Sequence, residues 1–480
     1  MLTRLSSSTL TDVRPPVRVP AYERSAVRIG VVHFGPGAFH RAHQAWYFDR
    51  MLSARLDMGV CAVSLRTPDV RDALAPQDGL YALVEKEARP TVQVVGSILQ
   101  VLVAPEDPGL VFRRLLEARY VTATVTEKGY CLTTAGELDL DHPDIRRDLA
   151  RRERPTSLIA WVAEGLSQRM RHDLPAFTTI SCDNLSDNGA RLRQAVIRFA
   201  EARGDRALAR WIEAEAAFPC SMVDSITPAT DDALRRQAAE ALGLEDAWPV
   251  QRERFAQWVV EDRLGADAAL FRDAGVTVAR AVAPFERAKL RLLNGAHSTL
   301  AYVGLGLGRE TVFEAMADPR LAGFVERMMR RDVAASLDAP ELDVPDYIGR
   351  ILGRFRNPAI DHKLSQIAWD GSQKLRFRLL ETGSEALAAG RPVDRLAVGV
   401  AAWMRFVVRQ TRAEVPIVDP LAEVLGALAR GCMGGPGDVE RFLALTEVFP
   451  PGLAADERFR AAVVTAYADL ATDPDKILAL

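Results

Sequence analysis

Residues 28–52, RIGVVHFGPGAFHRAHQAWYFDRML, constrain the fold more than any other stretch of the chain. An apolar run closes on Gly35 and Gly37 and passes directly into a segment with helical spacing. A strand, a glycine turn and a helix in that order begin a βαβ unit, whose crossover lays the next strand parallel to the first. Residues 58–66, MGVCAVSLR, supply that strand from small and β-branched residues. VQVVGSILQVLV, YVTATVTE and AFTTISC are further strand candidates, with helical stretches between several of them. Such alternation predicts an α/β fold with a largely parallel, doubly wound sheet.

The texture changes after VTVARAVAP, residues 276–284. Beyond it the spacing is mainly α-helical, at 309–336, 343–355, 378–389 and 393–410. A chain of 480 residues is long enough for two cores. The reading is therefore an arm over 1–27, a dinucleotide-binding domain over 28–283 and a mainly α-helical domain over 284–480. The arm, MLTRLSSSTLTDVRPPVRVPAYERS, has no apolar leader region and reads as loose. The helix at 286–306 starts just past the junction, so its polar residues are expected near a cleft between the two domains.

Several functional classes are disfavoured. With 61 basic and 64 acidic residues the net charge is -3, so no general basic field exists for nucleic acid, and Arg330 and Arg331 read as a solvated helix face. Five scattered cysteines without CxxC spacing argue against a disulfide framework and a structural zinc site. No apolar run is long enough for a membrane span, and a reducing cytoplasm is the default expectation.

The first turn reads GPGAFHRAH, Gly35 to His43. Two glycines let backbone approach a pyrophosphate at a helix N-terminus, although His40 stands where a third glycine would complete the dinucleotide fingerprint. The second strand ends in Arg66, with Asp69 three residues later. Asp69 would bind the adenosine ribose of NAD, whereas Arg66 would suit the extra phosphate of NADP. NAD is preferred and NADP is not excluded. His40 and His43 form an HxxH, but no HExxH accompanies it and a catalytic zinc needs a further ligand, so no metal is expected.

The segment ERAKLRLLNGAHSTLAYVGLG, residues 286–306, is apolar enough for a core yet carries Glu286, Lys289, Asn294 and His297. At about 100° per residue these four share an arc of roughly 140°, with Lys289 and His297 roughly 12 Å apart along the axis. A lysine in a dry site titrates nearer 7–8, about where a general acid or base works. An asparagine can donate to a developing alkoxide, and a histidine can orient a hydroxyl.

Five stretches in order, GPGAFHRAHQA, TEKGY, SCDN, MVDSITP and KLRLLNGAHS, resemble the mannitol dehydrogenase family, the polyol-specific long-chain dehydrogenases. DGSQK, Asp370 to Lys374, extends the match, which runs from about residue 28 to 420. The resemblance implies a Rossmann-type N-terminal domain, a mainly α-helical C-terminal domain and a zinc-independent oxidoreductase acting on CH–OH groups. It implies Lys289 as general acid/base and Asn184 with Asn294 as oxyanion stabilisers. His297 would bond the substrate near the reacting carbon, Asp224 would hold a substrate hydroxyl, and Glu286 would lie on a proton path. Gly35, Gly37 and Phe39 would shape the dinucleotide site, with Thr126, Glu127 and Lys128 near the nicotinamide. Ser225 departs from the pattern, where an arginine is expected after MVD.

The family divides between neutral polyols and sugar acids, and a bound carboxylate needs cations. NPAIDHKLSQIAWDGSQKLRFRLL offers Lys363, Lys374, Arg376 and Arg378, and resembles fructuronate reductases (D-mannonate oxidoreductases) more than mannitol enzymes. Lys363 and Lys374 would share a helical phase to about 20° if the helix survives Gly371. Lys374 is the preferred carboxylate ligand, with Lys363 beside it. D-mannonate/D-fructuronate is the expected substrate pair and D-mannitol/D-fructose the alternative. A non-catalytic dinucleotide-binding protein is a remote one, having no reason to keep Lys289, Asn184, Asn294 and His297 together.

Overall fold

The computed structural model describes residues 2–360 and 362–480, and the chain divides into two compact units that join in sequence at Ala283 and Pro284. The first unit holds eleven strands among its described residues. They are β1 (Ile29–Phe34), β2 (Gly59–Ser64), β3 (Tyr81–Lys86), β4 (Thr91–Val95), β5 (Ile98–Val103), β6 (Tyr120–Ala123) and β7 (Thr178–Ser181), then β8 (Ser221–Asp224), β9 (Val250–Glu253), β10 (Gln257–Glu261) and β11 (Thr277–Ala279).

The main sheet is all-parallel in the order β5-β2-β1-β6-β7. Order reverses between β1 and β6, the topological switch point at which doubly wound sheets bind ligands. Both faces of β1 are covered. Val32 and Phe34 join a core with Trp161 and Phe177, while Val31 faces Phe48, Trp258 and Phe271. Two mixed three-stranded sheets, β11-β10-β8 and β4-β3-β9, accompany it.

Two expectations change. VQVVGSILQVLV is not one strand but two, β4 and β5, in different sheets. The chain turns at Gly96, where a side chain would lie 2.7 Å from the Pro20 ring. The N-terminal arm is not loose. Arg4 and Arg18 form isolated bridges with Glu245 and Gln93, and Leu5 is fully buried in a cluster with Leu80, Val94 and Leu242. Leu10, Val13 and Val17 pack on the same cluster, and the Arg24 side chain donates to the Gly96 and Ile98 carbonyls; anchors so irregularly spaced do not show as periodicity.

The second unit is helical around Asp394–Arg412 and Glu457–Thr472, with Trp403 buried against Phe442 and Phe449. The helix predicted over 286–306 is continuous but not uniform. It is α over Ala283–Ala288, π over Lys289–Asn294 and α over Gly295–Gly306. Two further π segments occupy Met328–Val333 and Arg376–Leu380. The stretch predicted at 309–336 breaks at Asp318, whose carboxylate caps the next helix as Pro319 opens it. All five cysteines are free; four are buried and Cys220 is half-buried.

Candidate active site

Gly35 follows β1 with φ +91°, and a Cβ there would lie 2.2 Å from the Thr124 carbonyl oxygen. Only glycine fits so close a backbone approach. A Cβ on Gly37 would meet nothing within 4 Å, leaving open space over the N-terminus of the helix Ala38–Ala42. A tight turn followed by open backbone suits the pyrophosphate of a dinucleotide.

At the third-glycine position, the His40 ring stacks on His33 of β1 with centroids 3.3 Å apart. His33 is fixed in turn. Its Nδ1 lies 2.7 Å from the Thr122 hydroxyl and its Nε2 3.0 Å from that of Thr124, which donates to the Gly35 carbonyl. Burial pushes His33 down to about 3 and His40 well below the usual imidazole range, so both rings are neutral. His43 Nε2 faces the Gln257 carbonyl at 2.9 Å, and its ring stacks on Phe39 at 5.0 Å. The HxxH thus braces the turn. Among the described residues no group of three or more His, Cys, Asp or Glu is placed to hold a metal ion. Arg66 and Asp69 are both exposed just beyond β2, with Asp69 the first residue of the helix Asp69–Leu74.

Asp183, beside Asn184 and without a signal of its own in the sequence, clasps the TEKGY loop. Its carboxylate accepts from the Val125 amide at 3.0 Å, the Thr126 amide at 2.9 Å and the Tyr130 hydroxyl at 2.8 Å. The clasp holds Thr126 at φ +69°, an uncommon conformation for a β-branched residue, with Glu127 and Lys128 exposed on the turn that follows. Asn188 ties this region to β8. Its side chain donates to the Ser221 carbonyl at 2.8 Å and accepts from the Ser221 amide at 2.9 Å. Asn184 is exposed in the turn after β7, and Asp224 is a buried residue at the end of β8. Ser225 donates to the Phe255 carbonyl at 2.9 Å.

In the second unit, Lys289 opens the π segment and Asn294 closes it; both are half-buried, as is Glu286 one turn earlier. A π turn carries an extra residue per ring of hydrogen bonds, so the regular 100° step behind the predicted arc does not hold across this stretch. Arg291 of the same segment points into the core, where its side chain is 4% exposed and makes a bidentate pair with Glu385 at 2.5 and 2.6 Å. His297 is 8% exposed, stacked on Phe355 at 4.3 Å and edge-on to His362 at 5.2 Å. Burial, followed by His362, Arg354 and Arg378, drives its ring well below the usual range, so it is neutral.

The DGSQK turn contradicts the shared phase expected of Lys363 and Lys374. Asp370 adopts a left-handed conformation at φ +54°, and a new helix starts at Gly371. Gly371 lies so close to Trp403 and Tyr302 that a Cβ would be 2.3 Å from the indole nitrogen. Lys363 is exposed ahead of the break. Lys374 is half-buried, donates to the Trp369 carbonyl at 2.6 Å and lies 3.7 Å from Asp370. Burial and Arg378 lower its ammonium. Arg376 is exposed, whereas Arg378 is half-buried and donates to Ser298 Oγ at 2.9 Å on the helix that carries His297.

The segments that carry these residues also decide the kinship. Residues 29–270 match the model of the mannitol dehydrogenase Rossmann domain, and residues 281–471 that of the mannitol dehydrogenase C-terminal domain. The chain belongs to the mannitol dehydrogenase family. It is 38% identical to a mannitol 2-dehydrogenase of Aspergillus fumigatus, over 95% of this chain and 94% of that one. It is 39% identical to the D-mannonate oxidoreductase of Escherichia coli, over 96% and 97%. Among solved structures it resembles Pseudomonas fluorescens mannitol 2-dehydrogenase in ternary complex with NAD and D-mannitol, with a TM-score of 0.79, 36% identity and 99% coverage of each chain. A substrate-free D-sorbitol dehydrogenase matches with a TM-score of 0.91 at 31% identity over both whole chains. The chain is thus an oxidoreductase of a family that acts on CH–OH groups.

Proposed function

We propose that this enzyme interconverts D-mannonate and D-fructuronate with NAD. The observation that carries the sugar-acid reading is the charge around His297. Arg354 and Arg378 both bear on the ring, and Lys374 stands next to Arg378. A neutral polyol accepts only ordinary hydrogen bonds from these cations, whereas a carboxylate forms the stronger charge-assisted ones.

Lys289 takes the hydroxyl proton in oxidation and returns it in reduction. Asn184 and Asn294 donate to the oxygen as negative charge develops. His297, neutral, orients the neighbouring hydroxyl, Asp224 holds another, and Glu286 lies on the path by which Lys289 exchanges its proton. Lys374 and Arg378 take the carboxylate, with Lys363 a weaker candidate because it is exposed. The Gly35–Gly37 turn and Phe39 hold the dinucleotide, Asp69 its ribose, and the loop Thr126–Lys128 its nicotinamide end. NAD, when bound, accepts or gives the hydride.

Purified enzyme with NADH is offered D-fructuronate or D-fructose, and the nicotinamide absorbance is followed. Oxidation of NADH far faster with fructuronate, abolished in Lys289→Ala, is the expected result. A preference for fructose would move the assignment to a mannitol 2-dehydrogenase, which the similar identity to both kinds of relative keeps as the alternative.

A further inference from the structure

The second unit contains a cavity of about 550 Å³ lined partly by Tyr302, Phe406 and Leu470, and by Arg405, Arg409 and Arg412. The three arginines are spaced i, i+4 and i+7 on the helix Asp394–Arg412, so they share one face. Among the described residues none of them has a carboxylate within ion-pair distance. Each donates instead to one backbone carbonyl, Arg405 to Tyr467 at 2.9 Å, Arg409 to Leu305 at 2.9 Å and Arg412 to Cys432 at 3.0 Å, and Arg405 also lies over the Tyr467 ring at 4.8 Å. A guanidinium has five N–H donors, so most of each fork remains available. Asp438, on the Gly434 side, is engaged by the Met433 and Gly434 amides and the Tyr467 hydroxyl.

Three like charges at helical spacing repel one another and destabilise a bare helix. Burial and then Arg405 lower the Arg409 guanidinium, and among the described residues no carboxylate lies close enough to offset them. An arrangement that costs stability and neutralises nothing inside the fold calls for an anion from outside. Tyr302 and Phe406 are buried, with ring centroids 5.4 Å apart, and with Leu470 they add apolar surface to the cavity wall. The volume is that of a small-molecule site.

We infer that this cavity binds a small organic phosphate, its phosphate held by Arg405, Arg409 and Arg412 and its apolar body seated against Tyr302, Phe406 and Leu470. Arginine forks match phosphate oxygens in pairs, which favours a phosphate head over a single carboxylate. The site is distinct from the residues assigned to the dehydrogenase reaction and stands or falls without that reading.

Phenyl phosphate is the probe, titrated calorimetrically into the NADH-saturated protein so that the dinucleotide turn is occupied. One probe should bind per chain, several-fold more tightly than inorganic phosphate. The paired substitutions Arg409→Gln and Arg412→Gln should weaken binding at least tenfold, while Lys374→Gln leaves it unchanged. An unaltered melting curve of the double variant would exclude misfolding as the cause. No saturable binding at millimolar probe, equal binding of inorganic phosphate, or full affinity in the double variant would each overturn the inference.

Discussion

Single residues here are determined by contacts that span the sheet. Gly35 was legible because its need is local, a turn that only glycine makes. Gly35→Ala combines an unfavourable positive φ, costing about 1–2 kcal/mol, with a clash against the Thr124 carbonyl. It should lower the melting temperature and weaken NADH binding in a fluorescence titration. His33 was not legible, since its partners Thr122 and Thr124 lie on and beyond β6, ninety residues away in the chain. Its depressed pKa has a definite sign. Above about 6.5 the ring is neutral whether folded or unfolded, and no stability depends on it. Between there and about 3 the unfolded chain takes up a proton that the native ring refuses, so stability falls as pH falls. His33→Gln should remove about 1.4 kcal/mol per pH unit of that slope, read from denaturant midpoints across the interval. Lys374→Gln tests the carboxylate assignment, with KM for fructuronate rising about tenfold or more and kcat falling less.

At the scale of elements, apolar periodicity predicted the helices of the second unit as far as Arg412, but neither their π turns nor the later helices such as Glu457–Thr472. One extra residue leaves the hydrophobic pattern nearly intact while turning every later side chain, so Lys289 and Asn294 lie at the two ends of a segment that the 3.6 repeat treats as regular. The same blindness covers Asp370, whose left-handed turn parts Lys363 from Lys374 although both flanks read as helix. Removing an anchor should expose these costs. Glu385→Ala strands the buried Arg291 charge beneath the π segment and should cost about 2–3 kcal/mol in chemical denaturation, less than a fully buried pair because Glu385 is half-exposed. Asp183→Ala frees two backbone amides and the Tyr130 hydroxyl together. We expect a loss of about 2–3 kcal/mol and weaker NADH binding, with Asp183→Asn milder because it keeps one acceptor.

Across the whole molecule, the change from alternating strands and helices to helices alone was visible in the sequence, because burial on both faces and on one face leave different patterns. The two small mixed sheets were not, being built from short strands that pair across long separations, as β3 does with β9. Nor was the docking of the arm. Deleting residues 2–19 removes Leu5 from its cluster, a loss of the order of 2–4 kcal/mol for that side chain alone. The shortened protein should melt earlier and bind a hydrophobic dye that the full chain excludes. The free thiols give such opening a built-in clock. Burial pushes Cys61 up to about 12 and Cys432 up to about 11, so both resist alkylation while the fold around them is closed. One lies on β2 and the other in the helical unit. Timed alkylation followed by peptide mapping would therefore measure how often each half of the protein breathes, with no label or substitution introduced.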